Sequence, residues 1–253
     1  MAVKSVRTMD LYLDFESLGD LLAQAGKAEE ARDAYDRALQ LNPRATWIAA
    51  KRRLLSCPPA EVHEPMARAL YLFQPFYTPQ DPERASELLY CLDRNLECGI
   101  FAQITLLIDD ETPSPRDDPR LKIIRLDQRP TYLDWIRISR NICPGRISVF
   151  SNSDIYFDET VALFYQIFSV DHNAFIALSR FDKSGEQIVP HPDPHQSQDV
   201  WAFIPAANNA RFLKTNFAVP VGVPRCDNKI AYLFSVHGCS VYNPFPFVRA
   251  VHV

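Results

Sequence analysis

The chain has 253 residues, a length that suits one large and one small domain. Of these residues, 47% are hydrophobic and 23% charged, which is typical of a globular protein. A net charge of -4 and the lack of a basic run argue against a dedicated nucleic-acid binder. Because the sequence shows neither an N-terminal apolar segment of signal-peptide length nor a run near the ~20 residues of a membrane span, we expect a soluble, cytoplasmic protein.

The six cysteines are scattered and lack the CxxC spacing of zinc sites. A disulfide framework is not expected in a chain of this size, so we predict buried free thiols. The 20 prolines cluster in the predicted connections between elements. Many stiff loops are typical of a site that loops build on an α/β scaffold.

Residues 14–43 predict two helices, because apolar residues recur at helical spacing on both sides of Gly26. The pair resembles one tetratricopeptide repeat, with Gly19 and Ala31 as the small residues where the helices approach. Residues 45–55 predict one further helix. Since such repeats generally need about three copies for stability, this unit must lean on the rest of the chain, a second copy or a protein partner. The alternatives are therefore a cap on the main domain and a docking or homodimer surface.

A polar, proline-bearing stretch at 58–66 predicts a linker between a helical domain, 1–57, and a larger domain, 67–253. In the larger domain the predicted strands are 69–73, 104–108, 121–126, 147–150, 175–178, 200–204 and 247–253. The predicted helices are 82–96, 132–143, 158–168 and 229–237. This alternation predicts an α/β fold with a mostly parallel sheet flanked by helices. The polar, proline-rich segment 181–199 predicts an irregular loop with a function.

The stretch around Asp154 is the strongest candidate for a site. A buried-strand pattern at 147–150 ends in small polar residues and then in Asp154. In open α/β sheets, ligands bind at the carboxyl ends of the strands. Asn152 and Asp154 are two residues apart and share one side of a strand, and their oxygens are the ligands that Mg²⁺ and Mn²⁺ prefer. The alternative is an Asx turn.

Five segments in this order resemble nucleotide-sugar glycosyltransferase-like domains of the GT-A fold, over about residues 67–253. The segments are Leu72-Phe73-Gln74-Pro75-Phe76-Tyr77 with Arg84 and Glu87 on the next helix, Asn152-Ser153-Asp154-Ile155-Tyr156-Phe157-Asp158, Ala177-Leu178-Ser179-Arg180, Ser197-Gln198-Asp199-Val200-Trp201-Ala202-Phe203, and Gly222-Val223-Pro224-Arg225-Cys226-Asp227-Asn228-Lys229-Ile230-Ala231. The resemblance implies a GT-A-like, Rossmann-type sheet. The signature of that family is an Asp-x-Asp motif that binds a divalent metal and the donor diphosphate.

The resemblance implies that Asn152 and Asp154 bind the donor and that Asp154 and His252 bind Mn²⁺ or Mg²⁺. Asn152 stands where the family motif has its first aspartate, which leaves Asp154 as the single certain carboxylate. Arg180 would neutralise the diphosphate, a role that suits the planar guanidinium fork, and Arg84 would touch the nucleotide. The alternatives are a surface ion pair for Arg180 and a non-ligand role for His252.

The resemblance also implies an acceptor site. Asp199 would be the general base that deprotonates the acceptor hydroxyl. Trp201 would form a wall of the acceptor pocket by stacking, and Asp227 and Asn228 would orient acceptor or donor. The alternatives are a strand cap for Asp199, a core position for Trp201, and a helix N-cap for Asp227 or Asn228.

We therefore expect a metal-dependent glycosyltransferase that moves a sugar from a nucleotide-sugar donor to a hydroxyl acceptor, with inversion if Asp199 is the base. One alternative is a non-catalytic scaffold that binds a nucleotide or glycan and docks a protein through the N-terminal helices. A second is a nucleotidyltransferase, although the glycine-rich phosphate loop common in such enzymes is missing from the sequence. Serine hydrolase chemistry is unsupported, since the sequence has no GxSxG motif.

Overall fold

The computed structural model describes residues 3–55, 70–194, 197–206 and 209–253, so the predicted linker and domain boundary lie outside the described residues. The helices are α1 (Val3–Gln24), α2 (Ala28–Leu41), α3 (Thr46–Leu54), α4 (Pro82–Glu97), α5 (Tyr132–Ile142), α6 (Phe164–Val170) and α7 (Cys226–Val236). The strands are β1 (Leu70–Pro75), β2 (Phe101–Ile108), β3 (Leu121–Arg125), β4 (Ile147–Ser151), β5 (Ile155–Phe157), β6 (Ala174–Ser179), β7 (Phe181–Ser184), β8 (Gln187–Pro190), β9 (Gln198–Phe203), β10 (Ser240–Tyr242) and β11 (Ala250–His252). None of the helices in these residues combines the length and apolar character that crossing a membrane requires.

The main sheet has seven strands in the order β10-β6-β9-β4-β1-β2-β3. All neighbouring strands are parallel except β9, which runs antiparallel to both β4 and β6. The predicted α/β fold with a mostly parallel sheet is therefore confirmed. The continuous apolar runs of the central strands fit this arrangement, because a parallel sheet is covered on both faces.

Two hydrophobic clusters cover the two faces of this sheet. Adjacent residues of β4, Val149 and Phe150, fall in different clusters, because successive side chains of a strand point to opposite faces. One cluster holds Leu88 of α4, and the other holds Trp135 of α5 and Phe234 of α7. The carboxyl edge of the sheet is thus fixed between two helical layers.

A second, four-stranded sheet has the order β5-β11-β7-β8 and lies at this carboxyl edge. Its hairpin β7–β8 occupies much of segment 181–199, so the prediction of an irregular loop there is wrong over these residues. Strands β5 and β11 pair antiparallel, with His252 opposite Ile155. The backbone N–H of Val253 also donates to the carbonyl oxygen of Asp154, at 3.3 Å. The pairing therefore places His252 beside Asp154.

Several predicted elements differ in their bounds. The first helix, predicted from residue 14, begins at Val3, and β2 and α7 each begin three residues before their predicted starts. The C-terminal strand predicted at 247–253 is shortened to β11, because the preceding residues turn, with the N–H of Phe247 donating to the carbonyl of Pro244. The helix predicted at 158–168 begins as a 3-10 turn, Glu159–Leu163, before α6. Its predicted cap, Asp158, is confirmed.

The N-terminal helices form a hairpin, α1–α2, followed by α3. Gly19 lies directly under the ring of Tyr35, where a Cβ atom would collide with the ring carbons. Tyr35 in turn packs against Phe247, with ring centroids 6.4 Å apart, and Leu54 of α3 joins a core cluster of the main sheet. The helical unit was expected to pack against the rest of the chain, a second copy or a protein partner. In the structure it packs against the rest of the chain.

Candidate active site

The strands β1, β2, β3 and β4 are parallel, so their carboxyl ends meet at one edge of the main sheet. A cavity of about 590 Å³, the first cavity, lies at this edge. Its lining follows the strand ends: Tyr77 comes after β1, Asp109 and Asp110 after β2, Arg129 after β3, and Asp154 after β4. This is where open α/β sheets bind their ligands.

Asp154 is 8% exposed and has two basic residues as neighbours. Nη2 of Arg84 donates a hydrogen bond to Oδ2 of Asp154, and Nε2 of His252 lies 3.4 Å from the same oxygen. Burial by itself would raise the pKa of Asp154, but the hydrogen bonds with His252 and Arg84 outweigh it and lower the pKa to about 2. Arg84 is held in turn by Glu87, at 2.9 Å. Asp154 is therefore a carboxylate at any physiological pH.

The donor atoms around Asp154 fit a divalent cation. Oδ1 of Asp154 is buried and accepts no hydrogen bond from any described residue, and carboxylate oxygens are ligands that Mg²⁺ and Mn²⁺ prefer. Within the described ranges, no three His, Cys, Asp or Glu side chains converge as a metal cluster. The protein would thus supply ligands from two residues, Asp154 and His252. Phosphate and water would complete the coordination shell, as is usual for Mg²⁺.

Asp199 lies in a β-bulge. In the pairing of β6 with β9, Leu178 is opposite Val200 and Ser179 is opposite Gln198, so Asp199 has no partner on β6. A bulge re-aims a side chain and is frequent next to active sites. The sequence gives no sign of this bulge, because the extra residue is defined only by the partner strand.

The carboxylate of Asp199 is held from both sides. Nδ2 of Asn152 donates to its Oδ1 at 2.7 Å, and Nη1 of Arg180 donates to its Oδ2 at 2.9 Å. Burial raises the pKa of Asp199, although Arg180 acts in the opposite direction. Asp199 is therefore a stronger base than an ordinary aspartate, in a fixed orientation.

Asp182 joins these two groups into one network. Nε of Arg180 donates to Oδ1 of Asp182 at 2.9 Å, and Nδ1 of His252 lies 3.8 Å from the same oxygen. The structure thus brings together the predicted donor, metal and base residues: Arg84, Asn152, Asp154, Arg180, Asp199 and His252. Asp182 was missed, although it follows Arg180 by two residues and so shares its side of the chain.

Trp201 does not contribute to this site. It is 1% exposed and packs edge-on to Tyr132, with ring centroids 5.0 Å apart, and against Phe150 at 6.0 Å. The prediction that Trp201 forms a wall of the acceptor pocket is wrong. The reason is that its side chain points to the sheet face that α5 covers, so it is part of the core.

Asp227 and Asn228 lie in the first turn of α7, but neither is its N-cap. That position belongs to Arg225, which has a left-handed backbone (φ 67) and makes no side-chain cap hydrogen bond. The alternative of a capping role for one of the two is therefore wrong. Asn228 lines a second cavity, of about 750 Å³, between α7 and the N-terminal helices, whereas Asp227 is not among the described residues that line either cavity.

Sequence reasoning also missed Asp109 and Asp110 as site candidates. Both follow a buried strand, as Asp154 does, so the same strand-end signal could have identified them. Arg129 follows the next strand in the same way. Tyr77 carries no signal of this kind, because aromatic residues after strands are common in cores.

No protein-family model matches the chain, and no curated protein matches it by sequence. The chain is similar in structure to the mannosyltransferase PcManGT from Pyrobaculum calidifontis, solved with GDP-Man and Mn²⁺, at 14% identity and a TM-score of 0.48 over 87% of this chain and 67% of that one. The chain is also similar to GalNAc-T7, solved with UDP, GalNAc and Mn²⁺. The identity is 11% and the TM-score 0.49, over 73% of this chain and 44% of that one. For a putative glucose-1-phosphate thymidylyltransferase from Bacillus anthracis, the identity is 10% and the TM-score 0.43, over 70% of this chain and 86% of that one. These values are too low to decide the fold family or the activity, so the side chains must carry the functional conclusion.

Proposed function

We propose that the protein is a glycosyltransferase that moves a sugar from a nucleotide-sugar donor to a hydroxyl acceptor. The observation that carries this proposal is the pair Asp154 and Asp199. They lie in one network at the carboxyl edge of the sheet, but the pKa of Asp154 is lowered and that of Asp199 is raised. Two carboxylates whose environments separate their pKa values are the usual sign of different chemical roles.

The donor lies in the first cavity in this proposal. Asp154 and His252 would hold the divalent cation, which would supply Lewis-acid stabilisation of the departing diphosphate. Arg84 lines this cavity and pairs with Asp154, and Arg180 pairs with Asp199. Each guanidinium has five N–H donors in a planar fork, so phosphate oxygens can bind it beside its carboxylate partner.

Asp199 is the general base of the proposed reaction. It takes the proton of the acceptor hydroxyl, whose oxygen then attacks the anomeric carbon while the bond from that carbon to the diphosphate breaks. Arg180 and Asn152 act as positioning residues, because each binds one oxygen of the Asp199 carboxylate. A single displacement of this kind inverts the anomeric configuration.

The proposal extends to the organisation of the chain as a helical unit (1–57), a linker (58–66) and a GT-A-like domain (67–253). The hairpin α1–α2 would be a single tetratricopeptide-like unit. What supports this is the close approach of Gly19 to Tyr35, with Ala31 fully buried.

A thermal-shift screen tests the donor site. UDP-, GDP-, ADP-, CMP- and dTDP-sugars are each added with Mn²⁺, Mg²⁺ or EDTA. A ligand at about 100 times its Kd should stabilise the fold by roughly 2.7 kcal/mol. We expect one nucleotide class to raise the Tm with metal only, and Asp154→Asn to remove the shift. Asp118→Asn, which alters a carboxylate paired with Arg120, is the control and should keep it.

Turnover separates the two functional classes. Asp199→Asn should keep the donor-induced shift and lose sugar transfer. Donor binding without transfer by the wild type would favour a non-catalytic binding scaffold, the alternative that Asn152 in the motif suggests. No shift with any donor would overturn the glycosyltransferase proposal.

A further inference from the structure

The second cavity lies between the N-terminal helices and the sheet domain. Ser17 and Gln24 of α1 form part of one wall, and Gln198, Asn228 and the loop 190–194 form part of the other. At about 750 Å³ it falls within the roughly 300–1,000 Å³ of sites that hold a small ligand. The helical unit is thus half of a cavity that the proposed donor site does not use.

Asp199 has a direct neighbour in the lining of each cavity. Asn152, which donates to its carboxylate, lines the first cavity, and Gln198, the residue before it in the chain, lines the second. A donor in the first cavity and an acceptor in the second would therefore each lie next to a direct neighbour of the candidate base.

The chemistry of the second cavity suits a neutral polar ligand. Lys51 in its lining is already neutralised, because Nζ lies 2.8 Å from Oε1 of Glu16 and 2.8 Å from Oδ2 of Asp20. Phosphate or another anion would have to compete with these two buried carboxylates. Asp193 adds a further carboxylate to the lining. The cavity therefore disfavours a nucleotide or a phosphorylated acceptor.

Amide side chains add uncharged polar groups to this lining, beside His191 and Asp193. Gln24, Gln198 and Asn228 each carry a donor and an acceptor group, which match the paired hydroxyls of a sugar ring. Pro190, Pro192 and Pro194 add apolar surface, against which the C–H face of a sugar can pack. Small-molecule sites typically combine apolar walls with a few placed polar groups in this way.

We infer that the second cavity is the acceptor site and takes a neutral saccharide, with the helical unit forming one of its walls. This inference rests on the proposed function. It gives the N-terminal helices a direct role in acceptor choice.

The test is Ser17→Trp, which fills the second cavity from α1 without touching the network around Asp199. Leu18→Trp is the matched control, because Leu18 is an exposed neighbour on the same helix and does not line the cavity. The probes are methyl glycosides of glucose, galactose, mannose and N-acetylglucosamine and their disaccharides. Binding is measured by saturation-transfer difference NMR, and donor binding is measured in parallel by thermal shift.

We expect at least one saccharide to bind the wild type and Leu18→Trp, and Ser17→Trp to weaken it by about tenfold or more, which is 1.4 kcal/mol. The donor-induced shift should be the same in all three proteins. If no saccharide binds the wild type, or if Ser17→Trp binds it equally well, the inference is wrong even where donors bind. Saccharide binding with no donor shift would support the cavity assignment and overturn the proposed transfer. If a protein partner binds at the second cavity and no saccharide does, the inference is also wrong.

Discussion

Asp154 and Asp199 are both buried carboxylates beside an arginine, yet their pKa values move apart. Burial raises the pKa of both, but only Asp154 has hydrogen bonds with two basic residues, His252 and Arg84, that outweigh burial. For Asp199 the single contact with Arg180 is not enough. At the scale of residues, the hydrogen-bonded partners of the two groups thus make Asp154 a permanent carboxylate and Asp199 a base.

This balance predicts the effect of Arg180→Gln. Removing the cation beside Asp199 raises the pKa of that carboxyl further, so the protonated, inactive form persists to higher pH. The acid limb of the kcat/KM profile should therefore move upward from its wild-type position. The measurement is the pH dependence of transfer with the donor found by thermal shift.

Arg120→Gln is the control for this experiment. Arg120 forms an ion pair with Asp118 at the opposite edge of the sheet, so its removal should leave the acid limb in place. An acid limb that does not move in Arg180→Gln would show that Asp199 is not the titrating base.

At the scale of elements, helices α1 and α3 are joined by a buried charge cluster. Lys51 on α3 is 3% exposed and pairs with Glu16 and Asp20 on α1. Tyr35 on α2 also donates a hydrogen bond to Asp20, at 2.7 Å. A buried ion pair contributes little by itself, but losing one partner leaves charge without compensation.

Lys51→Met should therefore destabilise the protein by about 3–5 kcal/mol, because Glu16 and Asp20 stay buried without their cation. Urea unfolding followed by circular dichroism measures this loss. Lys27→Met is the control, since its partner Glu30 is exposed and such surface pairs contribute only about 0–1 kcal/mol. Equal stability of the two variants would show that the cluster does not hold the helices together.

The same scale shows what local patterns reveal. The helices α2, α3, α4 and α5 were predicted close to their bounds, because their apolar residues recur with a clear helical period. The strands β5, β7, β8 and β10 were missed, since three or four residues are too few for a period. The direction of β9 was also not predictable, because an apolar run looks the same in a parallel and an antiparallel strand.

At the scale of the whole molecule, the proposed metal site joins two sheets. Asp154 follows β4 of the main sheet, and His252 comes from β11 of the small one. Because these two side chains leave most of the coordination shell to phosphate and water, cation and nucleotide should bind cooperatively.

We expect Mn²⁺ to bind at least about fivefold more tightly in the presence of the preferred nucleoside diphosphate, and the nucleotide to gain the same factor from Mn²⁺. Titration of Mn²⁺ followed by electron paramagnetic resonance measures both. His252→Gln should reduce the coupling, whereas His172→Gln, remote from the site in a surface turn, should not. Equal Mn²⁺ affinity with and without nucleotide would contradict this design of the site.

The sequence by itself determined the α/β class, the helical hairpin around Gly19, and the polar strand end at Asn152 and Asp154. These features depend on local periodicity and on residues close together in the chain. Only the tertiary structure decided that Trp201 is core, that Asp199 sits in a bulge, and that His252 lies beside Asp154. The physical reason is that side-chain exposure, pKa and metal geometry depend on partners far away in sequence, which the pairing of strands brings together.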